Sequence, residues 1–353
     1  MRLKSIVALL LLVTVSFGIV GGCNNNSGNN NGGDTEEPGA EDPSFKLATA
    51  IELAELSLVA YEQRIQCIND GKGAITVPSE YTLEEVFFEE VSSFLDTGCK
   101  DDSDNTPAAF IAIMGDNIYL SFRGTANITD AISDVAALQE TYMFLPGFGK
   151  VSIGFQNAYQ GTDSNPIESA ILSKLDELTM TGNFSNLYIT GHSLGAALAF
   201  LAFPDLSKNV GMLDTVTMYN FAGPAAGDSD FVTAYEGVES TNRISVRIVN
   251  TNDLVPKLPP LGLDCENFSY FHTNDKHEIT FGTELPPLPD FAMDDCDLST
   301  IGADLLTYGI NNEDAILEDH SMCTYYKTLC NMSSDPSSCA GGAIGCDNGD
   351  ANP

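Results

Sequence analysis

Leu187-Tyr188-Ile189-Thr190-Gly191-His192-Ser193-Leu194-Gly195-Ala196-Ala197 is the stretch on which the reading of this chain turns. Leu187 to Thr190 is a short apolar run of strand-forming residues, and it reads as a strand. A G-x-S-x-G pattern follows, Gly191 to Gly195, and a helical run from Leu194 to Phe203 begins at once, with Pro204 expected to stop it. A strand that turns this abruptly into a helix holds the residue at the apex in a strained backbone conformation, with neighbouring chain close on both sides. Small residues are therefore needed on each side of the serine. Ala196 and Ala197 keep the new helix close to the turn. An ordinary strand-to-helix serine is the plain alternative, and it leaves the rest of the pattern unexplained.

Working outward, strand and helix alternate. Leu47, Ile51, Ala54, Leu58 and Tyr61 recur at helical spacing and open the folded region. Ala108 to Met114 and Asn117 to Phe122 read as two strands joined by a tight turn at Gly115-Asp116. Ile167, Ala170, Ile171, Leu175 and Leu178 share a helical face, and Thr215 to Phe221 and Ile244 to Asn250 are further strands. This alternation predicts an α/β architecture, a mostly parallel central sheet with helices on both faces. No internal repeat of solenoid or propeller length is visible.

The chain has 353 residues, 43% of them hydrophobic, enough for a large packed core. Its net charge of −35 repels phosphate backbones, so nucleic acid is excluded as a partner and neutral or cationic substrates are favoured. Arg2 and Lys4, the apolar run Ile6 to Val20, and Val20-Gly21-Gly22-Cys23 resemble a bacterial lipoprotein signal, which implies lipidation of Cys23. Asn24 to Asp42 is polar, rich in Asn and Gly, and suited to a flexible tether. The expected localisation is the cell envelope, outer membrane or cell surface, with secretion by a different cut as the alternative. With Cys23 set aside, the eight remaining cysteines of an exported protein read as disulfides. Sequence proximity pairs Cys67 with Cys99 and Cys265 with Cys296. No metal or cofactor is expected: Asp101-Asp102-Ser103-Asp104-Asn105 lacks the glycine and distal glutamate of a calcium loop, and no phosphate-binding or dinucleotide glycine pattern occurs.

A serine hydroxyl needs a histidine to take its proton and an acid to orient that histidine. His192 lies inside the turn beside Ser193 and is poorly placed to act on it. Asp253 follows the strand Ile244 to Asn250 in a loop of the kind that presents catalytic acids, with a turn aspartate as the plain alternative. His320, late in the chain, is the preferred base; His272 and His277 are its rivals.

Five ordered motifs now carry a resemblance. Phe122-Arg123-Gly124-Thr125, Gly154-Phe155, Gly191 to Ala197, Phe221-Ala222-Gly223-Pro224 with Gly227, and Asn250 to Pro256 with Pro259 resemble the class 3, fungal-type triacylglycerol lipase family of the α/β-hydrolase superfamily. The likeness spans roughly Leu47 to Leu329. It implies Ser193 as nucleophile, Asp253 as acid and His320 as base, with an oxyanion hole at Thr125 and the backbone of Leu194, and Asp134 steadying the Thr125 loop. It also places a helical lid over Ala126 to Phe144, with Ile128, Ile132, Val135 and Leu138 on its apolar face. The family's lid tryptophan is replaced by Ala131, in a chain with no Trp.

The expected organisation is a signal over residues 1–22, a tether over 23–44, an α/β-hydrolase domain over 45–330 and a Cys-containing tail over 331–353. The stretch between Asp253 and His320, with Cys265, Cys296 and Pro286-Pro287-Leu288-Pro289, reads as an insertion near the site mouth. The implied function is hydrolysis of acyl or lipid esters, triacylglycerol first, at a membrane-anchored enzyme. Phospholipase A1, short-chain or polyester esterase, acyltransferase or peptidase, and a surface binding protein with a vestigial site are the alternatives.

Overall fold

The structure, a computed structural model, describes residues 45–70, 76–90, 105–125, 138–261, 263, 265, 267–288, 298–334, 339 and 346. Seven strands form the main sheet: β1 (Thr82–Glu90), β2 (Asn105–Met114), β3 (Asn117–Phe122), β6 (Asn186–His192), β7 (Thr215–Phe221), β8 (Arg243–Asn250) and β9 (Lys276–Ile279), in that spatial order. β1, β2 and β3 are antiparallel, and from β3 onward every pairing is parallel. Gly115 takes a positive φ of 64° in the β2–β3 turn, as the Gly-Asp pair predicts. A small hairpin, β4 (Gln139–Thr141) with β5 (Lys150–Ser152), lies outside this sheet.

Helices cover both faces, and the period-two alternation of each strand decides which residues meet them. Ile118, Leu120, Phe122, Leu187, Ile189, Val216 and Met218 join the core built with α2 (Ile153–Gln160), α3 (Glu168–Thr181), α4 (Leu194–Asn209) and α5 (Ser229–Glu236). Their alternates Phe110, Ala112, Tyr119, Tyr219 and Phe221 face the second core, with α1 (Leu47–Asp70) and α8 (Met322–Met332). Each such side chain removed from water contributes about 1.5–3 kcal/mol, which fixes the register of every strand, because a slip by one residue would invert both faces.

A third core gathers Leu254, Val255, Leu258, Phe268 and Tyr270 with Ile301 and Leu305 of α6 (Leu298–Asn311) and Ile316 of α7 (Glu313–His320). The expected insertion is thus a folded unit that bridges the segment after β8 to the helix ending at His320.

Two expectations are corrected. α4 does not stop at Pro204 but continues to Asn209. Proline removes one ladder bond, yet Phe203, Asp205 and Leu206 beyond it are buried, and Tyr142 Oη donates to the Leu201 carbonyl at 2.6 Å beside the gap. The stretch expected as a lid ends differently as well. Gln139–Thr141 is strand β4 and Tyr142 is fully buried, because the hairpin and that aromatic ring close the first core. Ala131, Asp134 and the apolar Ile128, Ile132 and Val135 lie outside the described residues, as do Cys23 and Asp101 to Asp104.

The tail is stapled to α8 through Cys323–Cys346 and Cys330–Cys339. Cys265 is disulfide-bonded. Of the expected Cys67–Cys99 and Cys265–Cys296 pairs, the Cys67 side chain, Cys99 and Cys296 lie outside what the structure describes.

Candidate active site

Ser193 sits between the last residue of β6 and the first of α4 at φ 58° and ψ −124°, a conformation that costs a non-glycine residue about 1–3 kcal/mol. The strain is held from both sides. Ser193 N–H donates to Phe221 O at 3.0 Å, and a Cβ on Gly195 would lie 2.4 Å from Phe122 O, so α4 presses directly on the end of β3. A Cβ on Gly191 would meet Gly195 O at 2.2 Å. Although Ser193 occupies the N-cap position of α4, its side chain makes no capping hydrogen bond, so the hydroxyl is not spent on the helix.

Asp253 is fully buried just beyond β8. Its Oδ1 accepts from Val255 N–H at 2.9 Å, and its Oδ2 accepts from Tyr325 Oη at 2.9 Å. His320 Nδ1 lies 2.9 Å from Oδ2 and 3.1 Å from Oδ1. The carboxylate can only accept, so Nδ1 carries the proton and the Nε2 lone pair is basic. That Nε2 is buried with no hydrogen-bond partner, the arrangement of a general base awaiting a proton.

His192 is not a competitor for that role. Its Nε2 lies 2.8 Å from the His320 carbonyl, an acceptor, so Nε2 bears the hydrogen; its Nδ1 then accepts from Tyr61 Oη at 2.7 Å. Burial, reinforced by the nearby His320, pushes His192 well below the ordinary histidine pKa and keeps it neutral. His272 hydrogen-bonds Pro256 O at 2.6 Å, and His277 stacks on Phe45. Only His320 of the three candidates meets Asp253.

At the end of β3, buried Arg123 donates through Nε to Pro107 O and through Nη1 to Gly124 O, and its Nη2 pairs with buried Glu89. These bonds fix the backbone immediately before Thr125, which is itself buried. Leu194 is the first residue of α4, where backbone N–H groups lack intrahelical acceptors and the helix dipole is positive. Thr125, Ser193, Leu194 and Asp253 therefore gather at the carboxyl ends of β3, β6 and β8, the edge where open α/β sheets place their sites.

Tyr325 and Asn250 are members of the site that sequence reading missed. Tyr325 Oη accepts from Asn250 N–H at 2.8 Å while donating to Asp253, and Asn250 Nδ2 donates to Asp319 O at 2.9 Å. Tyr325 lies on the buried face of α8 among core residues, and nothing in its spacing marks its hydroxyl. Asn250 was read as a strand end and as the first residue of the motif running to Pro256, with no role given to its side chain. Among the described residues no group of three His, Cys, Asp or Glu side chains could hold a metal.

Residues 119–263 match the family model described as Lipase (class 3). The chain is 33% identical to a lipase of Rhizopus niveus over 170 residues, 47% of this chain and 39% of that one. It is 30% identical to the secreted mono- and diacylglycerol lipase 1 of Fusarium solani over 202 residues, 54% of this chain and 55% of that one. The matches thus span well under two thirds of these relatives' length. Among solved structures, the lipase from Rhizopus microsporus var. chinensis superposes with a TM-score of 0.50 at 25% identity, covering 67% of this chain and 76% of that one. The Lip2 lipase from Yarrowia lipolytica gives 0.51 at 22% identity, covering 68% and 80%. Residues 119–263 are thus similar to class 3 lipases, and the chain carries an α/β-hydrolase fold.

Proposed function

We propose that this chain hydrolyses carboxylic esters of lipids, acylglycerols first, through Ser193, His320 and Asp253. The observation that carries the reading is the buried His320–Asp253 pair, its Nε2 unsatisfied, hydrogen-bonded through the His320 carbonyl to the residue preceding a strained Ser193. The relatives named as lipases, and the Fusarium solani relative named for mono- and diacylglycerols, support this substrate class.

In the proposed sequence His320 Nε2 takes the Ser193 hydroxyl proton as Oγ attacks the ester carbonyl, and Asp253 stabilises the imidazolium. The tetrahedral oxyanion is met by Leu194 N–H and by Thr125, donors of a kind worth about 10² to 10³ in rate each. His320 returns the proton to the leaving alcohol, and water, activated by the same histidine, then releases the fatty acid.

Hydrolysis of p-nitrophenyl esters from acetate to palmitate, and of an emulsified triacylglycerol, tests the reading. Wild type is expected to be active, and Ser193→Ala and His320→Ala to lose at least about 10⁴ of kcat. A wild type inactive on every ester, or an active Ser193→Ala, overturns it and favours a binding role.

We further propose that the chain is exported and anchored through a lipid on Cys23. The disulfides at Cys323–Cys346 and Cys330–Cys339 support an oxidising compartment. Incorporation of labelled palmitate by wild type and its loss in Cys23→Ser is the expected result; no label in wild type removes the anchor.

A further inference from the structure

His320 is the last residue of α7, a helix of only eight residues. The final carbonyls of a helix have no intrahelical N–H to accept from. Here Glu318 O accepts from Ser321 N–H at 3.3 Å, Asp319 O from Asn250 Nδ2 at 2.9 Å and His320 O from His192 Nε2 at 2.8 Å. The two consecutive carbonyls nearest the end are therefore held by side chains from the ends of β8 and β6. Those are the strands that lead into Asp253 and Ser193.

We propose that Asn250 and His192 are positioning residues: a two-point clamp that grips the backbone of the base segment and sets where the His320 imidazole stands between acid and nucleophile. The proposal rests on the reading of His320 as the base.

Both donors are locked in the orientation the clamp needs. Asn250 is fully buried, and its Oδ1 faces two N–H groups, Phe281 at 3.1 Å and Asn252 at 3.3 Å. An acceptor is required on that side, so the amide nitrogen must point at Asp319 O. His192 accepts from Tyr61 Oη at Nδ1, which leaves its single hydrogen on Nε2, facing His320 O. α1, β6, β8 and α7, distant in sequence, thus converge on two consecutive peptide units. The third core holds α7 through Ile316 and Leu317, about a turn before His320, and none of its members is His320 or Asp319. Misplacing a catalytic group by about 1 Å can cost about 10² in rate.

The test is steady-state kinetics on a p-nitrophenyl ester, with kcat expressed per serine titrated to completion by a fluorophosphonate. Counting only reactive sites removes any contribution from unfolded protein. Asn250→Leu and His192→Leu are expected to lower kcat per titrated serine about 10- to 100-fold with KM within about twofold. His192→Gln, whose amide nitrogen falls near the place of Nε2, is expected to recover most of the loss. The downfield proton resonance of His320 Nδ1–H should shift or broaden in both leucine variants and return in the glutamine one.

Unchanged kcat per titrated serine in both leucine variants overturns the clamp, as does a His192→Gln variant no better than His192→Leu. If the leucine variants yield no titratable serine, Tyr61→Phe carries the test by freeing His192 to turn. A several-fold fall in kcat is then expected, and no fall overturns the proposal. His320→Ala measured alongside separates the two levels: activity in that variant removes the base assignment itself, whereas its inactivity beside fully active leucine variants removes the clamp alone.

Discussion

At the nucleophile corner, neighbours in sequence set the geometry: β6 ends at His192, α4 begins at Leu194, and Gly191 and Gly195 allow the chain to press on itself around Ser193. At the base corner almost nothing is local. His320 is placed by an acid 67 residues earlier, by a carbonyl contact to His192 across 128 residues, and through Tyr325, whose bond to Asp253 spans 72. A catalytic group that must be strained is built from a short rigid motif, whereas one that must be aimed is triangulated from several elements. Local sequence suffices for the first and cannot describe the second.

The difference is broken first at Asp253, the proposed acid, which hydrogen-bonds His320 and lies just beyond β8. Asp253→Asn would place an amide donor opposite the protonated His320 Nδ1 and favour the wrong tautomer. A loss of about 10⁴ in kcat with little change in folding stability is expected, read from ester hydrolysis beside denaturant unfolding. A loss under tenfold would mean that Tyr325 and the clamp orient the imidazole without the acid. The local corner breaks in the opposite way. Gly195→Ala puts a methyl 2.4 Å from Phe122 O and 2.8 Å from the Arg123 carbonyl carbon. Stability should fall by about 3 kcal/mol, because β3 and α4 must part, and activity should fall with it. Wild-type stability in that variant would show that the elbow has slack.

The same contrast explains what could be read in advance. Strands β2, β3, β6, β7 and β8 were legible because each alternates or carries an apolar run that only a covered sheet can use, and Gly115-Asp116 declared its turn. Ser193 was legible because strain at a strand-to-helix turn needs glycines at fixed offsets. Asp253 and His320 could be ordered along the chain but not brought together without the resemblance to a family. β9 is only four residues, Lys276–Ile279, with mixed polarity, and it exists because β8 offers it a partner. The passage of α4 through Pro204 escaped because tertiary burial outweighed a local rule. Tyr325 and Asn250 escaped because a hydroxyl or amide becomes part of a site only through partners that no spacing announces.

α8 supplies Tyr325 and is stapled by its own tail, so the disulfides sharpen the distinction between holding the base corner together and aiming it. The Cys323–Cys346 loop spans 23 residues, and its closure is worth about 3 kcal/mol on the chain-entropy account. Cys323→Ser with Cys346→Ser should lower unfolding stability by about that amount in urea while kcat at 25 °C stays within about twofold. Tyr325 is anchored by its own bonds to Asp253 and Asn250, which the staple does not make. Loss of kcat at undiminished stability would instead assign the tail a role in aiming.

The smallest effect expected is one of proton linkage, and it draws on both corners. His272 donates to Pro256 O, and burial, with Arg247 nearby, pushes its pKa well below the ordinary value; His192 is lowered in the same direction by burial. Below about pH 6.5 the unfolded chain protonates these imidazoles and the folded one does not, so stability falls as pH falls through that window. Asp205 and Asp319, raised chiefly by burial, act in the other direction, because the folded state keeps their protons as pH rises above the usual carboxylate range. His272→Gln can keep the bond to Pro256 while removing the titration, so the fall in unfolding free energy between pH 7 and 5.5 should become shallower. The change should be a fraction of the roughly 1.4 kcal/mol that one proton contributes per pH unit. An unchanged slope would mean that His272 takes its proton in the folded state after all, drawn by the field of a chain carrying −35 charges, and that the base half is cushioned against acid rather than weakened by it.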